Sequence, residues 1–375
     1  MTTPNVARRS VANDLAGILE SSEVSHLINE LQATRETGRP GYALRSMIGM
    51  ALAKSLYALP TWTRTVALVK EHPALAAVIA PDGEVPSLWS CYRFTAKLRE
   101  HTDLLEGCIA RVLRELKKRN PVLGWDVAID ASDMPAYANG QRFVSKGGRE
   151  REKYSDPDAS WGHRSAVSTR KGGGFYGYRI HMAVCSKTDL PLAWRVETGK
   201  KNETPTVAPL LDKLHMLGFN PETCALDAGY DNATVYDACA ERNIAPVIPL
   251  RETTAVKRGE HKPPTCEHGE WTFAGADHKR KATKWRCPSG ECKPASVWVK
   301  AERLHTLIPR ETKRWKALYR RRASVERAFG RLKNESALAP LRVRGIERVR
   351  LHADLTVLSQ LSSALARSRA TVALA

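Results

Sequence analysis

The sequence predicts an α/β protein with a helical N-terminal part and a β-rich interruption late in the α/β domain. Residues 1–120 repeat their apolar side chains at helical spacing. From residue 121 onward, β-rich runs alternate with amphipathic helices in the order β-β-β-α-β-α-β, which indicates an α/β domain. Residues 251–310 break this rhythm because they are rich in Lys, Arg, Pro, Cys and Trp.

These changes in pattern divide the chain into four predicted parts. They are a helical part at 1–120, the first part of the α/β domain at 121–250, a basic β-rich insertion at 251–310, and two helices in 311–375. The helices predicted in the first part are 11–19, 24–31, 43–59, 65–78, 104–116 and one after Ser87. The predicted strands are 125–129, 174–185, 190–197, 223–226 and 244–248. The remaining predicted helices are 206–217, 233–242, 313–334 and 348–367, whereas 140–173 is predicted to be a loop.

Length and composition exclude several classes of protein. The chain has 375 residues, of which 42% are hydrophobic and 26% charged, as expected of a globular protein rather than a disordered one. No apolar run reaches the roughly 20 residues that a membrane-spanning helix needs. Eight cysteines are too few for a disulfide scaffold. We therefore expect a cytoplasmic protein without a membrane segment.

The charge is concentrated in the last third of the chain. The net charge is +19, and residues 251–375 hold 28 basic and 12 acidic side chains, so this third alone carries +16. Such an imbalance favours a polyanionic partner, most simply nucleic acid, although a merely soluble basic surface remains the alternative.

Three acidic residues stand out, two of them directly after predicted strands. Asp130 follows the predicted strand 125–129, and Asp227 follows the predicted strand 223–226. The carboxyl ends of strands line the open cleft of such a sheet. The third is Glu326, on the helix predicted at 313–334. Nearby acidic residues that compete for the same role are Asp126, Asp133 and Asp231.

The predicted helix around Glu326 carries a narrow polar stripe. Tyr319, Arg322, Glu326 and Lys333 are spaced so that, at about 100° per residue, all four fall within about 60° of one another. Burying such a stripe in a core would strand charges. Cations and a phenol beside one carboxylate suit a surface that holds a metal together with a phosphate backbone.

Three carboxylates also suit a particular metal chemistry. Mg²⁺ prefers oxygen ligands, and two such ions about 4 Å apart can activate the attacking oxygen and stabilise the leaving one in phosphodiester displacement. The sequence contains neither a P-loop nor a dinucleotide-binding fingerprint.

The motif Tyr319-x2-Arg322-x3-Glu326-x6-Lys333 resembles the signature of DDE transposases of bacterial insertion sequences. The segments around Asp130 (AIDAS) and Asp227 (ALDAGYDN) resemble the two aspartate motifs of that family, and the resemblance covers roughly residues 40–360. It implies an RNase H-like catalytic domain with a mixed sheet, and a β insertion before the catalytic Glu.

The resemblance also implies an activity and its residues. Asp130, Asp227 and Glu326 would be catalytic and would bind Mg²⁺ (or Mn²⁺). Water would cleave the ends of the element, and the freed 3′-OH would attack target DNA. Tyr319 and the two cations, Arg322 and Lys333, would contact DNA phosphate near the cut. An insertion tryptophan would stack on a flipped base, with Trp271, Trp285 and Trp298 as candidates. The favoured alternative for each of them is a core aromatic of a small subdomain.

Further expectations concern partners and alternatives. The resemblance implies double-stranded DNA as partner, at least a homodimer on DNA, association with the bacterial nucleoid, and a helical part at 1–120 that recognises DNA ends and self-associates. Two other functions stay open, namely a catalytically inactive DNA-binding derivative and an RNase H-like nuclease without strand transfer. The loop 199–204 departs from the family pattern and is assigned no catalytic role.

The insertion holds a second candidate metal site. Cys266, His268, Cys287 and Cys292 are residue types that suit tetrahedral Zn²⁺, and a small basic subdomain benefits from such a cross-link. The irregular spacing leaves free cysteines in a reducing cytosol as the alternative. The stretch after the helix of Glu326 is crowded with arginines, for which DNA backbone contact is favoured over a solvated face; they are Arg342, Arg344, Arg348 and Arg350.

Overall fold

A computed structural model describes residues 11–35, 41–81, 83–144, 147–164 and 172–373. Within these ranges seven helices come before the first strand: α1 Val11–Leu19, α2 Ser22–Ala33, α3 Leu44–Leu56, α4 Trp62–Glu71, α5 Pro73–Ile79, α6 Leu88–Glu100 and α7 Thr102–Arg119. Hydroxyls begin three of them, since Ser21, Thr61 and Ser87 accept hydrogen bonds from backbone amides in the first turns of α2, α4 and α6. The single helix predicted at 65–78 is wrong, because Pro73 lacks an N–H and starts α5 as a separate helix.

The central feature is a six-stranded mixed sheet. Its strands are β1 Asp126–Pro135, β2 Ser160–Arg164, β3 Gly173–Cys185, β4 Pro191–Thr198, β5 Thr223–Ala225 and β6 Ala245–Val247. The strands run in the order β2-β3-β1-β5-β6, and β4 pairs with β3. β3 is antiparallel to β1, β2 and β4, whereas β5 is parallel to both β1 and β6.

Two loop and strand predictions need correction. The sequence predicts a loop over 140–173, but Ser160–Arg164 forms β2 because the glycine-rich start of β3 lets the two backbones pair, Gly162 lying opposite Phe175. β1 is longer than the predicted 125–129, because β3 pairs with it as far as Pro135.

Helices α8 Val207–Met216 and α9 Ala233–Glu241 connect β4 to β5 and β5 to β6. After β6 come a short helix, α10 Thr254–Lys257, and five short strands in two small sheets: β7 Thr265–Cys266, β8 Gly269–Glu270, β9 Thr272–Asp277, β10 Ala282–Arg286 and β11 Ser296–Lys300. The hydrophobic core cluster of this region consists of Trp271, Trp285 and Cys287. So small a core supplies little stability by itself.

The C-terminal helices are α11 Lys313–Arg320, α12 Ala323–Asn334 and α13 Ile346–Ala373. The prediction of one helix over 313–334 is wrong. At Arg321 and Arg322 the hydrogen bonds tighten to i→i+3 spacing, and both side chains are held by aspartates of β1. α13 packs against α1, α3 and α7 as well as β4, so one hydrophobic core runs from Leu15 to Leu365. In the described parts of the chain, no helix is both long and apolar enough to cross a membrane.

Candidate active site

The pairing of β1 with β5 brings Asp130 and Asp227 together. The two strands are parallel, with Ala128 opposite Ala225, an offset of 97 residues. The same offset separates Asp130 from Asp227, so each aspartate lies two residues beyond the last paired residue of its strand. Neighbouring strands are about 4.8 Å apart, which places the two aspartates side by side. The sequence predicts Asp130 directly after its strand, but it lies within β1 and pairs with Met182 of β3. It nevertheless lies just beyond the parallel pairing, at the open carboxyl edge.

Helix α12 carries Glu326 over this edge. Its apolar face packs on β1 and β3. Asp189, in the turn between β3 and β4, accepts hydrogen bonds from Arg327 at 2.8 and 2.9 Å and from Arg331 at 2.6 Å. Lys333, in the last turn of the helix, donates to Ser132 Oγ at 2.8 Å and to the Asp133 carbonyl at 2.6 Å. These contacts fix the helix along the sheet.

One guanidinium joins two of the predicted catalytic carboxylates. Arg322 donates to Asp130 Oδ2 at 3.0 Å and also to Glu326 Oε1. The Glu326 side chain is 57% exposed, whereas the Asp130 side chain is 20% exposed. The structure therefore brings Asp130, Asp227 and Glu326 to the same edge of the sheet, with Glu326 on its solvent side.

The electrostatics of this edge oppose the ionisation of Asp130. Burial and the neighbouring Asp227 carboxylate raise the pKa of Asp130 to about 7, against the Ala131 amide and the Arg322 guanidinium, which lower it. Clustered carboxylates repel one another in a partly buried site. They form a suitable binding site for a hard divalent cation, which takes oxygen ligands and relieves the repulsion.

Glu203 is a further carboxylate of this edge that the sequence interpretation missed. Its charge raises the pKa of Asp130, and its own pKa is raised by burial and by Asp227 while Arg179, at 3.0 Å, lowers it. The rule that selected the two aspartates would have found it. β4 runs in the same direction as β1, because both are antiparallel to β3, so the segment after β4 reaches the same edge.

The three rival aspartates are engaged in ion pairs elsewhere. Asp126 accepts from Thr223 Oγ1 at 2.7 Å and from Arg321 at 2.9 Å. Asp133 pairs with Arg164 at 3.1 Å. The completely buried carboxylate of Asp231 accepts two hydrogen bonds from Arg303, at 2.6 and 2.9 Å. These contacts give each of the three a structural role.

The remaining residues of the predicted stripe do not share one continuous helix. Tyr319 lies on α11 and stacks on Trp315, with ring centroids 5.0 Å apart. Arg322 lies at the joint between α11 and α12, and Lys333 near the end of α12 is bound to β1. Arg322 still reaches Glu326, because the joint keeps helical dihedral angles at this residue.

In the insertion, three of the four predicted zinc ligands meet. The Sγ atoms of Cys266, Cys287 and Cys292 lie within 4.8 Å of one another, and Cys266 and Cys287 are 3.7 Å apart. His268 lies outside this group, with Nε2 3.6 Å from Glu291 and 3.5 Å from Glu267. The residue Glu291 precedes Cys292, so His268 borders the thiol cluster without joining it.

The three candidate tryptophans differ in exposure. Trp271 and Trp285 are core residues of the insertion, 8% and 4% exposed. Trp298 is 44% exposed and lies near two cations, 5.5 Å from Arg280 and 5.7 Å from Lys284.

The raised pKa of Asp130 predicts a stabilising substitution. A folded-state pKa above the unfolded value means that the ionised carboxylate costs stability, and the cost grows as the pH rises from about 4 to about 7. Asp130→Asn should therefore raise the melting temperature of chelator-treated protein at about pH 8, with a much smaller effect near pH 4. Thermal denaturation at both pH values measures this, and an unchanged or lower melting temperature at the higher pH would contradict it.

Comparison with known proteins shows the family of the chain. The sequence profile of the transposase DDE domain matches residues 123–361. The chain belongs to this family of DDE transposases. Among solved structures it is similar to a piggyBac transposase in a synaptic complex with hairpin DNA, with 12% sequence identity, a TM-score of 0.43, and coverage of 95% of this chain and 74% of that one. No curated protein sequence matches the chain.

Proposed function

We propose that the protein is a DNA transposase that cuts phosphodiester bonds at the ends of an insertion sequence and joins the freed 3′-OH to target DNA. The observation that carries the proposal is the convergence of Asp130, Asp227 and Glu326 on one edge of the sheet, from segments nearly 100 residues apart. Two carboxylates side by side and a third on an adjustable helical side chain suit a centre that must hold metal and substrate together.

The donor set fits Mg²⁺ or Mn²⁺. Asp130, Asp227 and Glu326 would hold the ions, and Glu203 would add negative charge behind Asp227. In phosphodiester displacement, two such ions would activate the attacking oxygen and stabilise the leaving oxygen. Arg322 is placed to neutralise Asp130 and Glu326 in the absence of metal, and to pair with substrate phosphate when metal takes over the carboxylates.

Among DDE transposases, we assign the protein to the branch that has an RNase H-like catalytic domain and the signature formed by Tyr319, Arg322, Glu326 and Lys333. The mixed sheet supports it, since the path β4-β3-β1-β5-β6 combines antiparallel strands with a parallel pair that carries the aspartates. We assign end recognition and self-association to the helices before β1. Joining two ends calls for at least a homodimer on DNA, and the protein would associate with the nucleoid.

DNA near the cut would be contacted from α11, α12 and the insertion. Tyr319 and Arg322 are the proposed phosphate contacts, together with Lys333, which also ties α12 to β1. Trp298 is the proposed stacking residue, because it is exposed between cations while Trp271 and Trp285 fill the core.

Cleavage and strand transfer are tested on the same DNA. Purified protein with Mg²⁺ or Mn²⁺ is incubated with duplexes carrying the terminal repeats that flank the gene, and with a target plasmid. We expect cut ends and joined products. Cutting without joining would favour the nuclease without strand transfer, and binding without cutting would favour the inactive DNA-binding derivative.

For the insertion we propose a structural Zn²⁺ held by Cys266, Cys287 and Cys292. Thiolates on a tetrahedral zinc ion, with Zn–S of about 2.3 Å, are separated by about 3.8 Å, close to the 3.7 Å between Cys266 and Cys287. Rotation of His268 would supply a fourth ligand. The cross-link would stabilise a subdomain whose core has three buried residues.

Metal analysis tests the zinc site independently of catalysis. The purified chain should contain about one zinc per molecule and should show thiolate-to-cobalt charge-transfer absorption after exchange with Co²⁺. Cys287→Ser should lose most of the metal and make the insertion sensitive to protease. The control Thr265→Ser, at an exposed position of β7, should keep it. Metal-free protein with a protease-resistant insertion would contradict the assignment.

A further inference from the structure

A large cavity lies between the N-terminal helices and the C-terminal part of the chain, away from the carboxylates. Its volume is about 540 Å³, within the range of small-ligand sites. Helices α3, α4 and α6 form one wall, and the segment before α13 together with α13 itself forms the other. Tyr137, shortly after β1, closes one side.

The charged residues that line this cavity are all cationic. They are Lys54, Arg99, Arg342, Arg344 and Arg348. Among the described residues of the lining none is acidic, and no described carboxylate forms an ion pair with any of these five. A concave surface with one sign of charge concentrates the opposite charge, so its ligand is an anion.

Lys54 is the most informative of the five. It is 8% exposed, its ammonium lies 5.9 Å from the Trp62 ring, and it shares the cavity lining with His352, whose Nε2 donates to the Ala337 carbonyl at 2.7 Å. Burial lowers the pKa of His352 to about 3. Burial lowers the pKa of Lys54 to about 8. Burying a cation without a counter-charge costs free energy, and Lys54 has no carboxylate partner among the residues that the structure describes. An anionic ligand would remove that cost.

Aromatic rings on the cavity rim indicate what else the ligand contains. Trp89 and Tyr92 are 71% and 46% exposed, with ring centroids 6.0 Å apart, and Tyr137 is 44% exposed. Arg342 and Arg344 lie over the Tyr137 ring at 5.0 and 5.1 Å. Exposed rings flanked by guanidinium groups are platforms for the stacking of nucleobases.

We propose that this cavity binds a nucleotide unit of unpaired DNA, with its phosphate at Lys54 and its base against Trp89 and Tyr92. The inference rests on the proposed function, since it supplies a contact for a DNA strand that also reaches the catalytic edge. Tyr137 is seven residues beyond Asp130, so their backbones are at most about 25 Å apart. That distance is less than one helical turn of DNA, about 34 Å.

The test compares probes of equal charge on the full chain in the presence of chelator. Fluorescence anisotropy measures the binding of a short single-stranded oligonucleotide, an abasic oligomer with the same number of phosphates, and polyglutamate. We expect the oligonucleotide to bind about tenfold more tightly than the abasic oligomer, because stacking contributes on the order of 1–3 kcal/mol per base. Polyglutamate should compete poorly.

Three variants locate the binding. Trp89→Ala, at a highly exposed position, should reduce the preference for bases to about twofold or less. Lys54→Met keeps the volume of the side chain and should weaken binding of both oligomers while lowering the salt slope by about 0.7. Lys70→Met, at an exposed position of α4 outside the cavity, should behave as the wild type apart from a small loss of general charge.

The proposal is overturned if the abasic oligomer binds as tightly as the oligonucleotide, if polyglutamate competes equally well, or if Lys54→Met and Lys70→Met are indistinguishable. A melting curve shows that each variant is folded, and Trp89→Ala keeps the test valid should Lys54→Met unfold. The measurement needs neither metal nor cleavage. It can therefore fail in a protein that cuts DNA, and succeed in one that does not.

Discussion

Asp227→Asn should abolish DNA cleavage, with a rate at least about a thousandfold below the wild type, and leave DNA affinity intact. The expected loss corresponds to about 4 kcal/mol of transition-state stabilisation, a reasonable share for a carboxylate that would hold the metal ions beside the reacting phosphate. Asparagine is the informative replacement because Asp227 Oδ1 accepts a hydrogen bond from the Gly229 amide at 2.7 Å. An amide oxygen can keep that bond, so the loop stays formed while the charge is lost.

The matched control is Asp237→Asn, which removes one negative charge at an exposed position of α9. It should cut DNA at the wild-type rate. Single-turnover cleavage with saturating Mg²⁺ and electrophoretic DNA binding in chelator are measured for both variants. Cleavage by Asp227→Asn above a tenth of the wild-type rate would remove Asp227 from the catalytic centre. A loss of DNA binding together with cleavage would show that the loop is structural.

The fold was predictable from the sequence wherever local pattern and chain order agree. Apart from the break between α4 and α5, the helices before β1 follow from apolar periodicity and turn residues, as does the alternation of β3, β4, α8, β5 and α9. The glutamate-bearing segment was less predictable. A continuous helix satisfies the periodicity of 313–334, but Asp126 and Asp130 bind Arg321 and Arg322 and divide that segment at the joint. Sequence spacing carries no trace of such tertiary ion pairs.

Candidate site residues were predictable to the extent that they follow strands. Asp227 follows β5, and the offset of 97 residues to Asp130 proves to be the register of two parallel strands. Glu203 was missed because the loop after β4 was compared with a family pattern, although its direction in the sheet would have revealed it. His268 was grouped with the cysteines on residue type alone, and side-chain direction, which the sequence does not specify, turns it toward Glu291.

Asp231→Ala should cost about 3 kcal/mol in the free energy of unfolding, although Asp231 is outside the catalytic set. Both ends of the insertion converge on its carboxylate, since it accepts hydrogen bonds from the Arg251 amide at 2.7 Å and from the Arg303 guanidinium. Burial alone would raise the pKa of Asp231, but these hydrogen bonds outweigh it and lower the pKa. Its contribution to stability is therefore present above about pH 4 and is lost as the pH falls through the folded-state pKa.

Removing this buried carboxylate leaves the Arg303 guanidinium, whose side chain is 24% exposed, and the Arg251 amide without their partner. Deleting one member of a hydrogen-bonded ion pair in this way costs more than replacing both. The control is Asp212→Ala, which breaks the pair of an exposed aspartate with Arg242 and should cost less than about 1 kcal/mol. Urea denaturation at neutral pH compares the two. Because the loop 227–231 also carries Asp227, Asp231→Ala should slow cleavage as well, and the insertion should become protease-sensitive before the rest of the chain. Equal stability losses in the two variants would mean that Asp231 does not hold the insertion to the edge of the sheet near Asp227.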